Sequence, residues 1–531
     1  MKNILRISLA IAALSLAAAC SKEYLETSPE SSVSPSTIFS TTENCELAIN
    51  GMCKMMTTQY GYFGQGFNGE GTISLWYGNY GNDFQRCGHT GWAVLWNHTY
   101  NENVNTIYLS YAWYYYYKLI SNANQVIENI DNAEGPEAER KFYKAQALVF
   151  RAHAYTMLMQ IYAYRWQDSN NGASNGVVLR LDSSTDEDGE YDLPLSTQAQ
   201  CYTQIYTDCD EAIKLFQESG INRGADEFYK PNLDVAYAVK TRAAMVREDW
   251  DTVIDCAPKA RAGHAPMSQK QYMEEGFSTP NDEWIWGVYE AEDQTLYYYG
   301  FFAYMGSNAS SSMQRTYPLG ISKELYDQIP ATDVRRALWL EPTAEEWDET
   351  LSNGNKAISR ATGLTTSGKL FKRAKADYAA KLYTTSQIYQ YMQFKFQATF
   401  LPGGGCFNIY RAAEMYLAEA EARCHKGGQD TDVQNLLKEV NKNLDPSYAC
   451  TKTGADLLKE VKLYRRIDLW GEGFDWFDYK RWNEPIVRKS IADGGSFAAA
   501  FAVTINVGDG NKWTWKIPKK ETDYNDLILP E

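Results

Sequence analysis

Residues 461–482 read VKLYRRIDLWGEGFDWFDYKRW, and the rest of the chain is best understood outward from them. Leu463, Ile467 and Trp470 fall at i, i+4 and i+7, one apolar stripe along a helix. The same spacing places Arg465, Arg466 and Asp468 largely off that stripe. Gly471 and Gly473 follow the last periodic residue and stop the helix. Beyond them Phe474, Trp476, Phe477, Tyr479 and Trp482 crowd around Asp475, Asp478, Lys480 and Arg481. Rings this dense among charges of both signs predict a half-buried knot with paired charges and hydrogen-bonded indoles. It holds no histidine and no nucleophile–base pair, so its predicted role is structural.

Upstream, helical periodicity recurs over 43–58 (with Thr41 or Thr42 as cap), 111–132, 136–164, 196–218, 232–248 and 249–263. Short connections make successive helices antiparallel neighbours. From 264 to 400 the pattern changes: a strand over 284–289, a Tyr/Phe-rich run over 297–304, one helix near 322–328, and otherwise long loops. Helices return over 406–426, 431–443 and 454–470. The last forty residues read as extended strands and loops, with Trp513 and Trp515 alternating around Thr514. The expectation is a mainly α fold: a degenerate, tetratricopeptide-like helical-repeat scaffold with a loop-rich, mixed second lobe inserted. Its parts are 41–263, carrying an aromatic loop at 59–103; the second lobe, 264–400; and closing C-terminal helices, 401–531.

The 531 residues carry a formal charge of −16, which argues against nucleic acid or an anionic membrane surface as a ligand. At the N-terminus, Lys2 and Arg6 flank an apolar run over 7–16, followed by Ala17, Ala18, Ala19 and Cys20. That is a secretory signal over 1–19, too short to be a comfortable membrane span. Cys20 after small residues resembles a bacterial lipobox, which implies a diacylated Cys20 followed by a Ser/Pro-rich tether to residue 40. With Cys20 lipidated, nine of the ten cysteines remain, so at least one is free. Cys45/Cys53 and Cys201/Cys209 are separated by a rise of ~12 Å within one helix, too far for a disulfide. Buried thiols are therefore expected.

The 461–482 stretch resembles the C-terminal signature of the RagB/SusD family, surface glycan-binding lipoproteins of Bacteroidetes outer membranes. Arg465, Arg466, Leu469, Glu472, Gly473, Asp478, Arg481 and Trp482 match its pattern. Tyr464 stands where the family often has Glu, and Asp468 replaces a Glu. Tyr410 to Glu414 with Ala418-Glu419-Ala420 resemble the family's Arg-x-Ala-Glu…Ala-Glu-Ala helix, a second match. The resemblance implies a lipid-anchored outer-membrane protein with a TonB-dependent transporter as partner. It also implies an aromatic arc for glycan, drawn from the 59–103 loop and the second lobe.

Those regions have suitable chemistry. A sugar ring has apolar C–H faces and a polar rim, so it is held by flat aromatic platforms beside short polar side chains. Trp76, Tyr80 and Trp96, with Arg86 beside them, and Tyr298 and Tyr299 of the second lobe are the expected ligand-binding residues. Other constellations carry less. Gly64-x-Gly66-x-x-Gly69 lacks the strand and helix that a phosphate loop requires. In the acidic loop DSSTDEDGEYD (182–192), setting Gly189 at the sixth position of an EF-hand puts Leu195 where a Glu is needed. No metal or other cofactor is expected, with irregular calcium binding in that loop the one alternative. The histidines are scattered and no carboxylate pair sits in a recognisable motif, so a binding protein is expected rather than an enzyme. A helical-repeat assembly adaptor and a peptide-binding member of the same family stay open.

Overall fold

The helices form in the order their caps dictate. In the computed structural model, which describes residues 39–64, 66–183, 192–292 and 300–528, the first half contains α1 (Thr42–Met55), α2 (Ile107–Asn129), α3 (Glu137–Tyr162), α4 (Gln198–Ser219), α5 (Leu233–Arg247) and α6 (Trp250–Ala260). Thr41 accepts the Asn44 N–H, Thr197 and Gln200 form a reciprocal capping box, and Asn232 and Asp249 cap α5 and α6. Each such cap contributes about 1 kcal/mol. Consecutive helices from α2 to α6 pack against one another, the mainly α, repeat-like scaffold expected from the periodicity.

α3 is the axis. From Ala145 to Tyr162 every residue is buried, as expected of a helix enclosed on all sides. Its polar side chains are paired rather than solvated: Arg151 grips Asp208 of α4 at 2.7 and 2.8 Å, and His153 bridges Glu70 and Tyr410 at 3.2 and 3.0 Å. None of the described helices is long and apolar enough to cross a membrane. The nine described cysteines are free thiols, five of them buried.

The C-terminal part corrects four expectations. Residues 407–411 are a strand, and only Ala412 onward is helix (α7, Ala412–Lys426). The strand Phe407–Arg411 pairs antiparallel with Trp284–Val288, so a long-range ladder overrides helical propensity and ties the second lobe to the scaffold. After α8 (Asp430–Asn441) and α9 (Gly454–Asp468), the aromatic knot is itself a helix, α10 (Asp475–Trp482). Arg465 and Asp468, expected off the apolar stripe, are buried. Near the end, the segment around Trp513 and Trp515 is a 3-10 turn (Gly510–Trp513) and coil, and a short helix, Lys519–Tyr524, follows.

Burial of those charges is made tolerable by pairing. Arg465 meets Asp478 at 2.6 Å, Arg481 meets both Asp478 and Glu421, and Trp482 donates to Glu421 at 2.8 Å. Trp476 is the exception to the expected satisfaction of indoles, its buried N–H finding no acceptor among the described residues. At the centre, Asp468 and Glu472 receive three cations from three parts of the chain. Arg335 reaches Asp468 at 2.8 Å, and Lys395 donates to Glu472 at 2.7 Å and to the Asp468 and Trp470 carbonyls. Arg411 bonds Asp468, Glu472 at 2.7 Å and Glu283 at 2.7 Å.

Burial alone would raise the Glu472 carboxyl, but Arg411 and Lys395 hold it down at about 2. A carboxylate depressed on folding stabilises above its unfolded pKa, and the stabilisation is lost as pH falls through the folded value. Glu472→Gln should therefore cost about 3–5 kcal/mol at neutral pH by leaving buried cations under-compensated. In urea titrations the gap to the parent should close as pH falls from 4.5 towards about 2. A variant as stable as the parent at neutral pH would remove the cluster from its central role.

Candidate functional site

The aromatic loop is folded against the scaffold by the knot. Arg466 of α9 holds the Asp83 carboxylate at 2.7 and 2.8 Å, and the Trp470 N–H bonds the Asp83 carbonyl at 2.7 Å. Asp475 receives the Asp83 and Asn82 N–H groups at 2.8 and 3.3 Å. Arg488 takes the carbonyls of Tyr80, Gly81 and Trp96. At Gly78 a Cβ would lie 2.0 Å from the Gly473 carbonyl oxygen, so only glycine permits this approach.

This docking corrects the expected ligand residues. Trp76, Tyr80, Arg86 and Trp96 are all 2% exposed or less. Trp76 donates to the Gly66 carbonyl at 2.9 Å, Tyr80 to the Leu75 carbonyl, and Trp96 to the Phe84 carbonyl at 3.1 Å. Tyr80 and Trp96 stack on each other at 4.2 Å. They are core rings with satisfied polar ends, and none presents a face outward. Tyr298 and Tyr299 lie outside the described residues, as does most of the acidic loop.

The surface that these rings support is formed by residues the sequence reading did not select. His89 and Trp92 are half-buried, and their rings stack at 4.4 Å with 19° between planes. Tyr317 lies 4.4 Å from His89, its ring tilted by 52°. The Trp76 edge abuts Trp92 from beneath at 4.8 Å, and Tyr304 lies 6.4 Å away, nearly parallel to Trp92. The ledge is held by Gly88, whose φ of +73° turns the chain beneath Tyr389 where a Cβ would meet the phenol oxygen at 2.4 Å. A 3-10 turn over Thr90–Trp92 then exposes the His89–Trp92 pair. The available clue was CGHTGW (87–92): two glycines bracketing a His and preceding a Trp, with no apolar periodicity to bury them.

Arg86 sits under this ledge on a strand, Phe84–Arg86, that pairs antiparallel with Leu319–Ile321. Its guanidinium donates to the Tyr304 and Tyr317 carbonyls at 2.9 Å each and lies 5.5 Å from the Trp92 ring centroid. No carboxylate among the described residues forms an ion pair with it. Burial lowers its pKa to about 10, so it stays cationic at neutral pH. Burial, and then Arg86, push His89 below the usual imidazole range. The exposed pair is thus a neutral aromatic surface with hydrogen-bonding edges, mounted on a fixed cation.

The other polar constellations face inward. His153, Glu70 and Tyr410 are buried beside a cavity of about 30 Å³, lined also by Arg242 and Glu472, which has room for a water but not for a substrate. Among the described residues no group of three His, Cys, Asp or Glu side chains could hold a metal ion.

Comparison with known proteins places this architecture. Residues 271–529 match the family model described as the SusD family, and residues 23–244 match one described as starch-binding associating with outer membrane. Among solved structures, a SusD-like carbohydrate binding protein from Bacteroides vulgatus ATCC 8482 is similar at 21% identity and a TM-score of 0.74, covering 92% of this chain and 97% of that one. A SusD superfamily protein from Bacteroides thetaiotaomicron VPI-5482 is similar at 20% identity and a TM-score of 0.69, covering 92% and 100%. Likeness at these identities speaks to the fold. No curated protein matches the chain. The motif residues carry the resemblance physically: Arg411 joins the central ion cluster, Glu414 pairs with Arg242 at 2.7 Å, and Arg481 pairs with Glu421. With the two SusD models spanning both halves and the fold shared end to end, the chain belongs to the SusD/RagB family.

Proposed function

We propose that this protein is a non-enzymatic glycan-binding lipoprotein of the outer membrane, anchored through Cys20, that passes oligosaccharides to a TonB-dependent transporter. The observation that carries the binding reading is the half-exposed His89–Trp92 stack with Tyr317 beside it. The stack covers the facing sides of the two rings, so a pyranose would lie against their outer rims, where the indole gives apolar contact and the imidazole edge and the Tyr317 phenol can meet its hydroxyls. The buried rings beneath fix the platform before ligand arrives, so little side-chain freedom is lost on binding. Family membership supports the outer-membrane setting and the transporter partner. Cys20 lies outside the described residues, and its lipidation rests on the sequence around it.

Trp92→Ala should lower affinity for a neutral oligosaccharide, found by screening a glycan panel, by about tenfold or more, equivalent to about 1.4 kcal/mol. Because Trp92 also packs on the buried rings, the variant should lose about 1–3 kcal/mol of stability while remaining folded. Trp76→Ala should behave oppositely in its main effect, destabilising by about 3–5 kcal/mol through a core cavity. Calorimetric titration with parallel urea melts separates the two. Full affinity in Trp92→Ala would refute the ledge as the binding surface, and steady release of shortened sugars would refute the non-enzymatic reading. For the anchor, Cys20→Ala should abolish labelling by an alkyne fatty acid and move the protein out of the membrane fraction. Unchanged labelling would rule Cys20 out.

A further inference from the structure

A second aromatic surface is lined by residues apart from the ledge. It is a cleft of about 630 Å³ between the loop at Tyr62, the solvent side of α2 and the short helix Lys519–Tyr524, within the size range of small-ligand sites. Tyr62 is 72% exposed and Tyr114 is 44% exposed, while Trp113 and Tyr117 form the wall. The two exposed rings are each supported by Phe63, at 5.0 and 5.2 Å between centroids. Tyr117 spends its hydroxyl on the Val178 carbonyl at 2.7 Å, which fixes its ring.

The charges make the cleft specific. Among the described residues, three cations, Lys118, Arg180 and Lys520, line it against one carboxylate, Glu521. Glu521 is occupied, receiving the Trp113 N–H at 3.0 Å, Arg180 at 3.2 Å and the Asn525 amide at 3.0 Å. Lys118 and Lys520 have no carboxylate partner among the described residues. The Lys118 ammonium lies 5.4 Å from the Tyr60 ring centroid and 5.7 Å from that of Tyr114. The Lys520 ammonium lies 4.1 Å from the Tyr62 ring and donates to the Tyr62 hydroxyl. Exposed lysines elsewhere, Lys270 and Lys438 among them, also have no ion pair among the described residues; what sets Lys118 and Lys520 apart is that both line one cleft beside exposed rings. On a chain of net charge −16, two neighbouring ammoniums left without carboxylates mark a place for an anion.

We propose that this cleft is a second saccharide site, selective for acidic oligosaccharides built from hexuronate residues. Each exposed tyrosine carries its own ammonium, Tyr62 with Lys520 and Tyr114 with Lys118. That pairing matches a ligand whose repeating unit is one sugar ring bearing one carboxylate. The rings take the C–H faces, the ammoniums take the carboxylates, and the wall excludes water from one side of the chain. The inference rests on the glycan-binding reading but uses a different surface from the His89–Trp92 ledge.

The test titrates the detergent-solubilised full chain with trimers of galacturonate, mannuronate and guluronate, and with the carboxyl-reduced form of each. At least one uronate trimer should bind about tenfold or more tightly than its reduced counterpart at low salt, weakening as salt screens the ammoniums. The double variant Lys118→Gln/Lys520→Gln should lose that preference with an unchanged melting temperature, and Trp92→Ala should retain it. Three outcomes overturn the proposal: no uronate trimer binds, charged and reduced forms bind equally, or the double variant binds like the parent. Loss of uronate binding in Trp92→Ala would move the acidic ligand to the ledge and also overturn it. Failure of the ledge reading looks different, since it leaves neutral-glycan affinity indifferent to Trp92→Ala.

Discussion

Two buried carboxylates, Asp468 and Glu472, are the point at which the chain is closed. Arg335 and Lys395 come to them from the second lobe, and Arg411 from the strand that leads into α7. Burial pulls the Lys395 ammonium down to about 8, yet its three donors are all used, by two carbonyls and Glu472. A cluster of this kind adds little net stability compared with an apolar core of equal volume, because desolvation offsets most of its Coulomb energy. What it supplies is discrimination: a misdocked second lobe would strand charges that have no other partner. Loop-rich segments have few apolar periodicities to fix their register, and here the ions fix it instead.

The same helix end governs the proposed ledge. Asp468 begins the clasp on one side, and Arg466 and Trp470 hold Asp83 on the other. From Asp83 the chain runs directly into the strand bearing Arg86 and on to His89 and Trp92. The family signature therefore touches neither ring of the proposed ledge, but it positions the loop that carries them.

The helices were legible because their information is local. Thr197 with Gln200, Asn232 and Asp249 announce starts, and the apolar period carries these helices to their ends within about three residues. Family membership was legible through Arg411, Glu414, Arg481 and Trp482, residues whose partners are buried charges and so admit few substitutes. The strand over 407–411 was not, because its partner, Trp284–Val288, lies far upstream and only pairing distinguishes it from the first turn of α7. Trp76 and Trp96 misled for a related reason. Gly/Asn-rich sequence reads as exposed loop, and nothing local reveals that Gly78 packs against Gly473 or that Arg488 gathers three carbonyls of the loop. Aromatic composition pointed to the loop that carries the proposed ledge; burial within it was decided by contacts hundreds of residues away.

The buried rings nevertheless belong to the binding surfaces they do not form. From Trp92 the contacts run inward to Trp76 at 4.8 Å, on to Tyr108 at 5.4 Å and to Phe67 at 5.3 Å. They continue to Tyr111 at 5.0 Å, Phe63 at 5.2 Å and out to Tyr114 at 5.2 Å. The ledge and the cleft are thus the two exposed ends of one close-packed aromatic band. Packing at interior density leaves the supporting rings no room to turn, so Trp92 and Tyr114 stand in place without a ligand to order them. A saccharide gains only modest energy from each C–H face, and a platform that had to be ordered on binding would give much of that back. Placing most of the loop's aromatics inside the protein is therefore what would let the few outside bind weakly interacting rings on the proposed surfaces.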